Sequence, residues 1–482
     1  MMGQQDPQKN LFSYSIDLDK RLRAEHPLRA VTQALGDLQW VRQAVAGCYG
    51  SKGHVSVDPV VLVKMMILLF VDNVPSEREL MAIIPERLDY LWFLGYGLDE
   101  VVPNHSVLSK ARARWGAKLF EELFVRSIHL CVRAGLVEGS KLHIDSSLVR
   151  ANAARDSVSQ SSPQLISALR QAAQAQAAKL EDEPGEGINA THISSTDPEA
   201  TLAKSQRGQS SQLSYKHHRV VDDAHGVITG VQTTTGKEAD STQLGPLIQQ
   251  HQTHAGAKLE TVVGDSHYGT AENLRQCQGL GITTHLKKWS GHVAEHGLTP
   301  AKEFVYESQQ DRYRCPQGHY LYYHNFRKPE QLIEYLIEKP DHCAGCPLRS
   351  QCTRSPRGRT VTRPAFTELV QAAEQQIQSP AARADWRRRR HLMEGSFADA
   401  ANNHGFKRAR WRGLRRQQIQ DWLIALVQNI RIWMRQTRQG LPEAITQAVS
   451  LILNAILFLG CRQDTPRSSL PPNQPINPQC SL

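Results

Sequence analysis

Two short apolar runs that each end on an aspartate restrict the fold of this chain more than any other feature. Residues 141–145 are Lys-Leu-His-Ile-Asp, and residues 261–265 are Thr-Val-Val-Gly-Asp. Runs of this length and composition are typical of buried β-strands. A carboxylate at the end of a buried strand is costly unless a positive group satisfies it. The pattern therefore predicts two strands whose terminal residues, Asp145 and Asp265, meet cations.

A third acidic candidate, Glu394, lies in a helical pattern that begins with four consecutive arginines. Carboxylate oxygens are the ligands that Mg²⁺ and Mn²⁺ prefer. We predict that Asp145, Asp265 and Glu394 together bind such catalytic ions. Taken singly, each residue has a simpler interpretation: a strand-end cap or turn for the aspartates, and a surface ion pair with Arg390 for the glutamate.

The positive charge of the chain is concentrated in one stretch. The formal net charge is +10, and residues 383–438 hold fourteen Lys or Arg against four Asp or Glu. Such density is typical of a phosphate-binding surface, although a solvated helix face is the alternative. The residues predicted to contact DNA phosphates are Arg387, Arg390, Lys407, Arg408, Arg410 and Arg412.

Neither a secretory signal nor a membrane span is indicated. The N-terminus carries Asp17 and Lys20 where a signal peptide needs an apolar segment. The longest apolar runs, 60–71 and 449–459, are too short for a span. We expect a cytoplasmic protein with no membrane partner, whose clustered cysteines are reduced and available to metals.

Four of the nine cysteines fall close together between the second aspartate and the glutamate: Cys315, Cys343, Cys346 and Cys352. Four thiolates satisfy a structural Zn²⁺ ion, and we predict one here. His319 could replace one cysteine as a ligand. An Fe–S cluster could use the same thiols, and reduced thiols in a poorly packed insertion are the remaining interpretation.

The N-terminal part, 1–138, reads as an all-helical module. Asp58 followed by proline is a typical helix start, and the apolar run after it predicts a buried helix. Ser106 begins a second candidate helix with basic residues, among them Arg112. The pattern is compatible with a helix-turn-helix DNA reader or with an ordinary bundle.

The rest of the chain alternates strand and helix signals. Strands are predicted at 215–222 and 226–234, helices at 241–251 and 271–278, and a strand at 282–286. With the two Asp-ending strands and the later Glu-bearing helix, this is the element order of a ribonuclease-H-like α/β fold. The fold class predicted is α+β overall, with a helical module, a ribonuclease-H-like catalytic domain and a cysteine-rich insertion.

The predicted domain limits follow these signals. They are 1–138 for the helical module, 139–289 with 381–440 for the catalytic domain, 290–380 for the zinc-binding insertion, and 441–482 for a C-terminal helix and disordered tail. Residues 155–210, rich in Gln, Ala and Ser, are predicted to be a flexible helical insertion.

Seven motifs, in this order and spacing, carry a family resemblance. They are Pro-Ser-Glu-Arg-Glu-Leu at 75–80, Asp-Tyr-Leu-Trp-Phe-Leu-Gly-Tyr-Gly at 89–97, His-Ile-Asp-Ser-Ser at 143–147, Thr-Asp-Pro-Glu-Ala at 196–200, Gly-Asp-Ser-His-Tyr-Gly at 264–269, Met-Glu-Gly-Ser-Phe at 393–397 and His-Gly-Phe-Lys-Arg-Ala-Arg-Trp-Arg-Gly at 404–413. The chain resembles bacterial insertion-sequence transposases of the DDE type, in the group numbered 1182.

The resemblance implies an enzyme that cuts and joins the ends of its own mobile element, with Asp145, Asp265 and Glu394 as a metal-binding triad. It implies double-stranded DNA as partner and a dimer on that DNA. One ion would activate water and later a 3′-hydroxyl, and the second would stabilise the leaving oxygen. His267 and Tyr268 would contact the scissile phosphate or orient the carboxylate, or serve only as structural hydrogen-bonding residues.

The chain departs from the family pattern in one place. Related transposases often carry Tyr and then Arg before the glutamate, and Lys or Arg after it; here the Tyr position holds Arg387 and the later position holds Ala401. Phosphate positioning would then fall on Arg387 or Lys407. Two other functions remain open: a nuclease of the same fold without strand transfer, and a non-catalytic DNA-binding or zinc-scaffold protein derived from a transposase.

Overall fold

The computed structural model describes residues 17–52, 54–160, 192–204, 210–287, 298–327 and 332–438, with the single positions 2 and 168. The chain divides into two units, Met1–Trp433 and Met434–Leu482, and only the first five residues of the second are described. The predicted insertion over 155–210 is described only in part, and the predicted C-terminal tail lies outside the described residues.

The N-terminal part is helical, as predicted. Its helices are α1 (Leu18–Arg21), α2 (Pro27–Leu35), α3 (Gln39–Val45), α4 (Pro59–Val71), α5 (Glu77–Ile83), α6 (Leu88–Leu94), α7 (Ser106–Trp115) and α8 (Lys118–Arg133). The helix start at Asp58 is confirmed, because its side chain accepts a hydrogen bond from the Val60 N–H. α4 is buried along nearly its whole length, which makes it the core of this helical part.

A six-stranded mixed sheet follows. Its strands are β1 (Lys141–Arg150), β4 (Thr201–Ala203), β5 (Gln212–Asp222), β6 (Ile228–Thr235), β7 (Thr261–Gly264) and β8 (Thr283–Leu286); β2 (Val158–Gln160) and β3 (His192–Ser194) pair separately. The order across the sheet is β6-β5-β1-β7-β8, and β4 also pairs with β5. β1 is antiparallel to β5 and parallel to β7, and β7 is parallel to β8.

Seven further helices follow β6 in the described residues. They are α9 (Leu244–Ala255), α10 (Ala271–Gly279), α11 (Pro340–Ala344), α12 (Arg349–Cys352), α13 (Thr367–Gln376), α14 (Pro380–His404) and α15 (Leu414–Arg438). None of the helices in the described ranges combines the length and apolar character that crossing a bilayer would require.

The two faces of the mixed sheet differ in chemistry. Leu142, Ile144 and Val262 point to one face and join an apolar core with residues of α9 and α10. Because side chains alternate along a strand, Lys141, His143 and Asp145 point to the opposite face. The second face therefore carries the polar groups and meets α14.

α15 covers the open edge of β6. Gln418 accepts a hydrogen bond from the Thr233 N–H at 2.6 Å, and the Asn429 amide bonds both the N–H and the carbonyl of Ile228 at 2.9 Å. An edge strand leaves such backbone groups unpaired, which invites pairing with other chains. The buried amide side chains of α15 satisfy these groups and close the edge.

A second, five-stranded antiparallel sheet lies in the chain between β8 and α14. Its strands are β9 (Val305–Glu307), β10 (Arg312–Arg314), β11 (Tyr320–Arg327), β12 (Leu332–Ile337) and β13 (Thr360–Pro364), in the spatial order β13-β12-β11-β10-β9. Its core is aromatic and includes Tyr313 and Tyr335, whose ring centroids are 5.1 Å apart. Cys343 belongs to this core, and Cys315 and Cys352 pack against it.

Candidate active site

The strand register brings Asp145 and Asp265 together. β1 and β7 are paired in parallel from Lys141 with Thr261 to His143 with Val263. Continuing this register by two residues places Asp145 beside Asp265, on neighbouring strands about 4.8 Å apart. Asp145 does not end its strand, contrary to prediction, because β1 continues to Arg150 against β5. Asp265 does follow the last residue of β7, as predicted.

Asp145 is held by one cation and one backbone group. Its carboxylate lies 3.0 Å from Arg389 Nη2 and accepts a hydrogen bond from the Ser146 N–H at 2.8 Å. Burial raises the pKa of Asp145 above its ordinary value, and the charge of Asp265 acts in the same direction, although Arg389 opposes both. A carboxylate in this setting would be stabilised by a further cation.

Asp265 is oriented by the residue two positions after it. The His267 N–H donates to Asp265 Oδ1 at 2.9 Å, and His267 Nδ1 lies 3.2 Å from the other oxygen. Burial would raise the pKa of Asp265, but His267 and Arg389 together hold it below its ordinary value. Tyr268 is only 1% exposed and packs in the apolar core.

Polar contacts fix α14 against the sheet. Asp385 accepts a hydrogen bond from Lys141 Nζ at 2.8 Å and lies 2.7 Å from His285 Nδ1. Arg389 Nε also donates to the Ile144 carbonyl at 3.1 Å. Asp385 and Arg389 are four residues apart and therefore on one side of the helix. This side faces β1 and the acidic pair.

The structure places Glu394 on α14 with an exposed side chain. Five residues separate it from Arg389, a rotation of roughly 140° about the helix axis. Arg387, Arg390 and Glu394 share this outer side, at the spacing i, i+3, i+7. Within the described ranges, no three or more His, Cys, Asp or Glu side chains form a group that could hold a metal ion. The convergence of all three carboxylates stays a prediction.

The six residues predicted to contact DNA fall into two groups. Arg387, Arg390, Lys407, Arg408 and Arg412 are exposed. Arg410 turns inward: its guanidinium donates to the Val74 carbonyl and to Asn73 Oδ1, and it stacks over Phe70 with its central carbon 4.7 Å from the ring centroid.

The exposed basic residues after α14 run beside the far end of β1. Lys407 Nζ donates to Ser147 Oγ at 2.8 Å, and Arg412 Nε donates to the Asn152 carbonyl at 3.2 Å. Arg112, one of the basic residues of α7, is instead 3% exposed and paired with Glu77 at 2.5 Å. Its charge serves the packing of the helical part.

The four clustered cysteines line a single cavity in the second sheet region, together with His319 and His342. A turn after Cys315 is closed by a hydrogen bond from the Cys315 N–H to the His319 carbonyl at 2.8 Å. Burial raises the pKa of Cys352, and the three neighbouring thiols add to this shift although Arg359 opposes it. The thiols are thus close enough to influence one another, but three or more of them do not converge at metal-binding distances in the described structure.

Three residues near the acidic pair were not predicted from the sequence. Arg389 is one of four consecutive arginines, and only the tertiary contact distinguishes it. Asp240 lies 3.4 Å from Lys216 Nζ and raises the pKa of Asp145 through its charge. Arg219 is fully buried, but it is one of several basic residues in the strand predicted at 215–222, and the local pattern does not distinguish it from them.

Two family models match this chain. Residues 314–433 match a model described as a transposase DDE domain, and residues 16–114 match one described as a transposase domain, DUF772. The chain is a DNA transposase. The first match includes α14, which carries Glu394 and Arg389, and the second covers most of the N-terminal helices.

Solved transposase structures show a distant likeness. One is the piggyBac transposase in its synaptic complex with hairpin DNA, which is 11% identical in sequence. The alignment covers 88% of this chain and 84% of the piggyBac chain, with a TM-score of 0.27. Another is the pre-cleavage Mos1 transpososome, which is 10% identical in sequence. The alignment covers 80% of this chain and 94% of the Mos1 chain, with a TM-score of 0.16. Neither score is high enough to establish a shared fold.

Proposed function

We propose that this transposase cleaves DNA at the ends of its own insertion sequence and joins those ends to target DNA, with Asp145, Asp265 and Glu394 as its catalytic carboxylates. The observation that carries the proposal is the parallel pairing of β1 and β7, which leads to two aspartates close enough for their charges to interact near α14. The same helix bears Glu394 and belongs to the matched transposase DDE domain.

The topology supports a ribonuclease-H-like fold for the catalytic domain. An antiparallel hairpin of β5 and β6 flanks β1 on one side, and the parallel strands β7 and β8 flank it on the other. This is the arrangement that the predicted element order requires. The proposed domain limits remain those expected from the sequence, as do membership of the insertion-sequence group numbered 1182, a dimer on DNA and a location in the bacterial cytoplasm.

Mg²⁺ or Mn²⁺ is the proposed catalytic cofactor. The carboxylates of Asp145 and Asp265 fit such ions, because they are hard oxygen donors. When bound, the ions would stabilise the charge on attacking and leaving oxygens. Glu394 reaches the same ions only if its side chain swings inward when DNA and metal bind.

Replacing Glu394 by glutamine tests the triad. We expect Glu394→Gln to lower Mg²⁺-dependent cleavage of a DNA fragment bearing the element end by orders of magnitude, because a metal ligand contributes to transition-state stabilisation. DNA affinity should hold or rise slightly. Glu272→Gln is the matched control, since Glu272 is an exposed helical glutamate paired with Arg275 at 2.6 Å.

Each outcome of this experiment separates the functions. Comparable cleavage by wild type, Glu394→Gln and Glu272→Gln would show that Glu394 is not a metal ligand. Cleavage without joining to a target plasmid would favour the nuclease of the same fold. No cleavage by wild type on a fragment that it binds would favour the non-catalytic DNA-binding protein.

For the cysteine cluster we propose a structural Zn²⁺ ion bound by Cys315, Cys343, Cys346 and Cys352, with His319 as the alternative fourth ligand. The shared cavity supports this assignment, and four thiolates match the ligand preference of zinc. Metal analysis of the purified protein should find about one zinc per chain. The Cys343→Ala/Cys346→Ala variant should lose it, and full retention would contradict the site; iron in place of zinc would indicate an Fe–S cluster.

A further inference from the structure

Arg219 is the largest fully buried side chain of the described residues. It lies on β5 directly opposite Asp145 in the antiparallel pairing with β1. Directly opposed residues on neighbouring strands point to the same face of a sheet. A buried guanidinium therefore lies next to the first catalytic carboxylate, on the side of the sheet that meets α14.

Contacts from two helices fix this guanidinium. Its Nη1 donates to Ser396 Oγ at 2.7 Å on α14 and to Gln428 Oε1 at 3.1 Å on α15. Its central carbon lies 4.4 Å from the ring centroid of Phe397 and 5.3 Å from that of Phe406. Such cation–π contacts are strongest where water is excluded. Arg219 thus joins the sheet to the segment of α14 just after Glu394.

The charge of Arg219 is balanced through a histidine. Arg219 Nε donates to His217 Nε2 at 2.8 Å, and His217 Nδ1 lies 3.0 Å from Asp421 Oδ2. Because His217 accepts at Nε2, that nitrogen carries no proton, and the proton of the neutral ring is on Nδ1, which lies next to Asp421. A buried cation is costly unless it is paired, and Arg219 meets its counter-charge only through this relay.

One group of Arg219 has no protein partner. Its Nη2 is buried and makes no hydrogen bond within the described structure. Burial lowers the pKa of Arg219 to about 10, and the charges of Asp421, Asp399 and Asp145 oppose that shift. The residue is therefore still a cation at neutral pH. This arrangement keeps a positive charge beside Asp145 that solvent and DNA cannot reach directly.

We propose that Arg219 is a positioning residue of the active site: it locks the Glu394-bearing segment of α14 to the strand beside Asp145 and thereby sets the geometry of the metal-binding carboxylates. This proposal rests on the function proposed above. Arg219 does not contact DNA, because it is fully buried. Its effect must therefore appear in metal binding and turnover rather than in affinity for the DNA end.

Direct metal binding tests the proposal without relying on activity. Full-length wild type and Arg219→Gln are titrated with Mn²⁺, and bound ion is measured by electron paramagnetic resonance. We expect Arg219→Gln to need about tenfold more Mn²⁺ for half-saturation, the usual scale for losing a residue that orients a metal ligand. The same shift should appear in Mn²⁺-dependent cleavage, with DNA-end affinity unchanged. Arg219→Lys, which keeps the charge, should recover part of the loss.

Arg112→Gln is the matched control. Arg112 is also a buried arginine, stacked 3.8 Å from the ring centroid of Trp411 and paired with Glu77, but it lies in the helical part. Both glutamine variants should lower thermal stability, and only Arg219→Gln should shift Mn²⁺ binding. Equal stability loss with unaltered Mn²⁺ half-saturation in Arg219→Gln would overturn the proposal.

Ser396→Ala decides the matter if Arg219→Gln does not fold. It removes one acceptor of the Arg219 guanidinium, and a several-fold rise in Mn²⁺ half-saturation supports the positioning role, whereas wild-type binding overturns it. The two proposals fail differently. Full cleavage by Glu394→Gln defeats the triad, while an inactive Glu394→Gln beside a normal Arg219→Gln defeats only the role of Arg219.

Discussion

Asp197 shows how one buried residue can give the protein a measurable pH dependence. Its carboxylate accepts hydrogen bonds from the Tyr215 hydroxyl at 2.6 Å and from the Gly413 N–H at 3.2 Å, at the start of α15. Burial nevertheless raises the pKa of Asp197 to about 6 from an ordinary 3.8. The folded state therefore binds this proton more tightly than the unfolded state does.

The stability that Asp197 contributes is present below about pH 4 and is lost as pH rises through about 6. At 1.36 kcal/mol per pKa unit, the shift corresponds to about 3 kcal/mol. We expect the free energy of unfolding of Asp197→Asn, measured with urea, to rise relative to that of wild type as pH increases from about 4 to about 7. The relative gain should be up to about 3 kcal/mol. A difference that is constant with pH would contradict the prediction.

Asp223 provides a control of opposite sign. His143 Nε2 lies 2.6 Å from Asp223 Oδ1 and Arg388 Nε donates to the same oxygen at 2.7 Å. Although burial acts to raise it, these partners hold the pKa of Asp223 below its ordinary value. The stability that Asp223 contributes is therefore present above about pH 4 and is lost at lower pH. The free energy of unfolding of Asp223→Asn should thus fall relative to that of wild type as pH rises.

At the scale of elements, the spacing of β1, β7 and β8 depends on Gly264. A Cβ at this position would lie 2.8 Å from Ile144 Cγ2 and 2.8 Å from Leu286 Cδ2, on the two neighbouring strands. The glycine thus lets the three parallel strands approach just before Asp265. A larger residue must push them apart.

We expect Gly264→Ala to cost about 1–3 kcal/mol through overpacking. Because the strain falls beside the acidic pair, cleavage at a permissive temperature should fall as well. Gly279→Ala is the control, since a Cβ there meets nothing within 4 Å at the end of α10. Thermal unfolding and DNA-end cleavage are measured for both variants. Wild-type stability and cleavage in Gly264→Ala would mean that the strands accommodate the methyl group without moving the carboxylates.

At the scale of the whole molecule, we expect the exposed basic residues to set the salt dependence of DNA binding. When one phosphate contact is removed, DNA binding releases fewer counterions. The slope of log affinity against log salt concentration then becomes shallower by roughly 0.9. Arg387→Gln/Arg408→Gln should therefore reduce the slope by roughly two and weaken binding to all sequences alike. Fluorescence anisotropy with a DNA duplex at several salt concentrations measures it.

Arg410→Gln is the internal control for this surface. Its guanidinium is bound to Val74 and Asn73 of the helical part, so its loss should lower thermal stability and leave the salt slope as in wild type. If the double variant also kept the wild-type slope, the exposed arginines would not be phosphate contacts.

Local pattern alone determined most of the elements. The helix start at Asp58 is correct, because a side chain that accepts from the next turn defines an N-terminus by itself. The strands and helices predicted around Asp265 also form, with small differences at their ends. The adjacency of Asp145 and Asp265 could be foreseen in the same way, since two short apolar runs ending on aspartates suit neighbouring parallel strands.

The tertiary structure decided what a local pattern cannot contain, namely the direction of each side chain on a long helix. One residue turns an α-helix by roughly 100°, so only contacts with the sheet select Arg389, and not Arg390, to meet Asp145. The same holds for Arg410, which the sequence groups with exposed neighbours, and for Arg219, whose burial needs partners from α14 and α15. Such partners lie far away in sequence, and the sequence by itself determines the elements but not which of their faces meet.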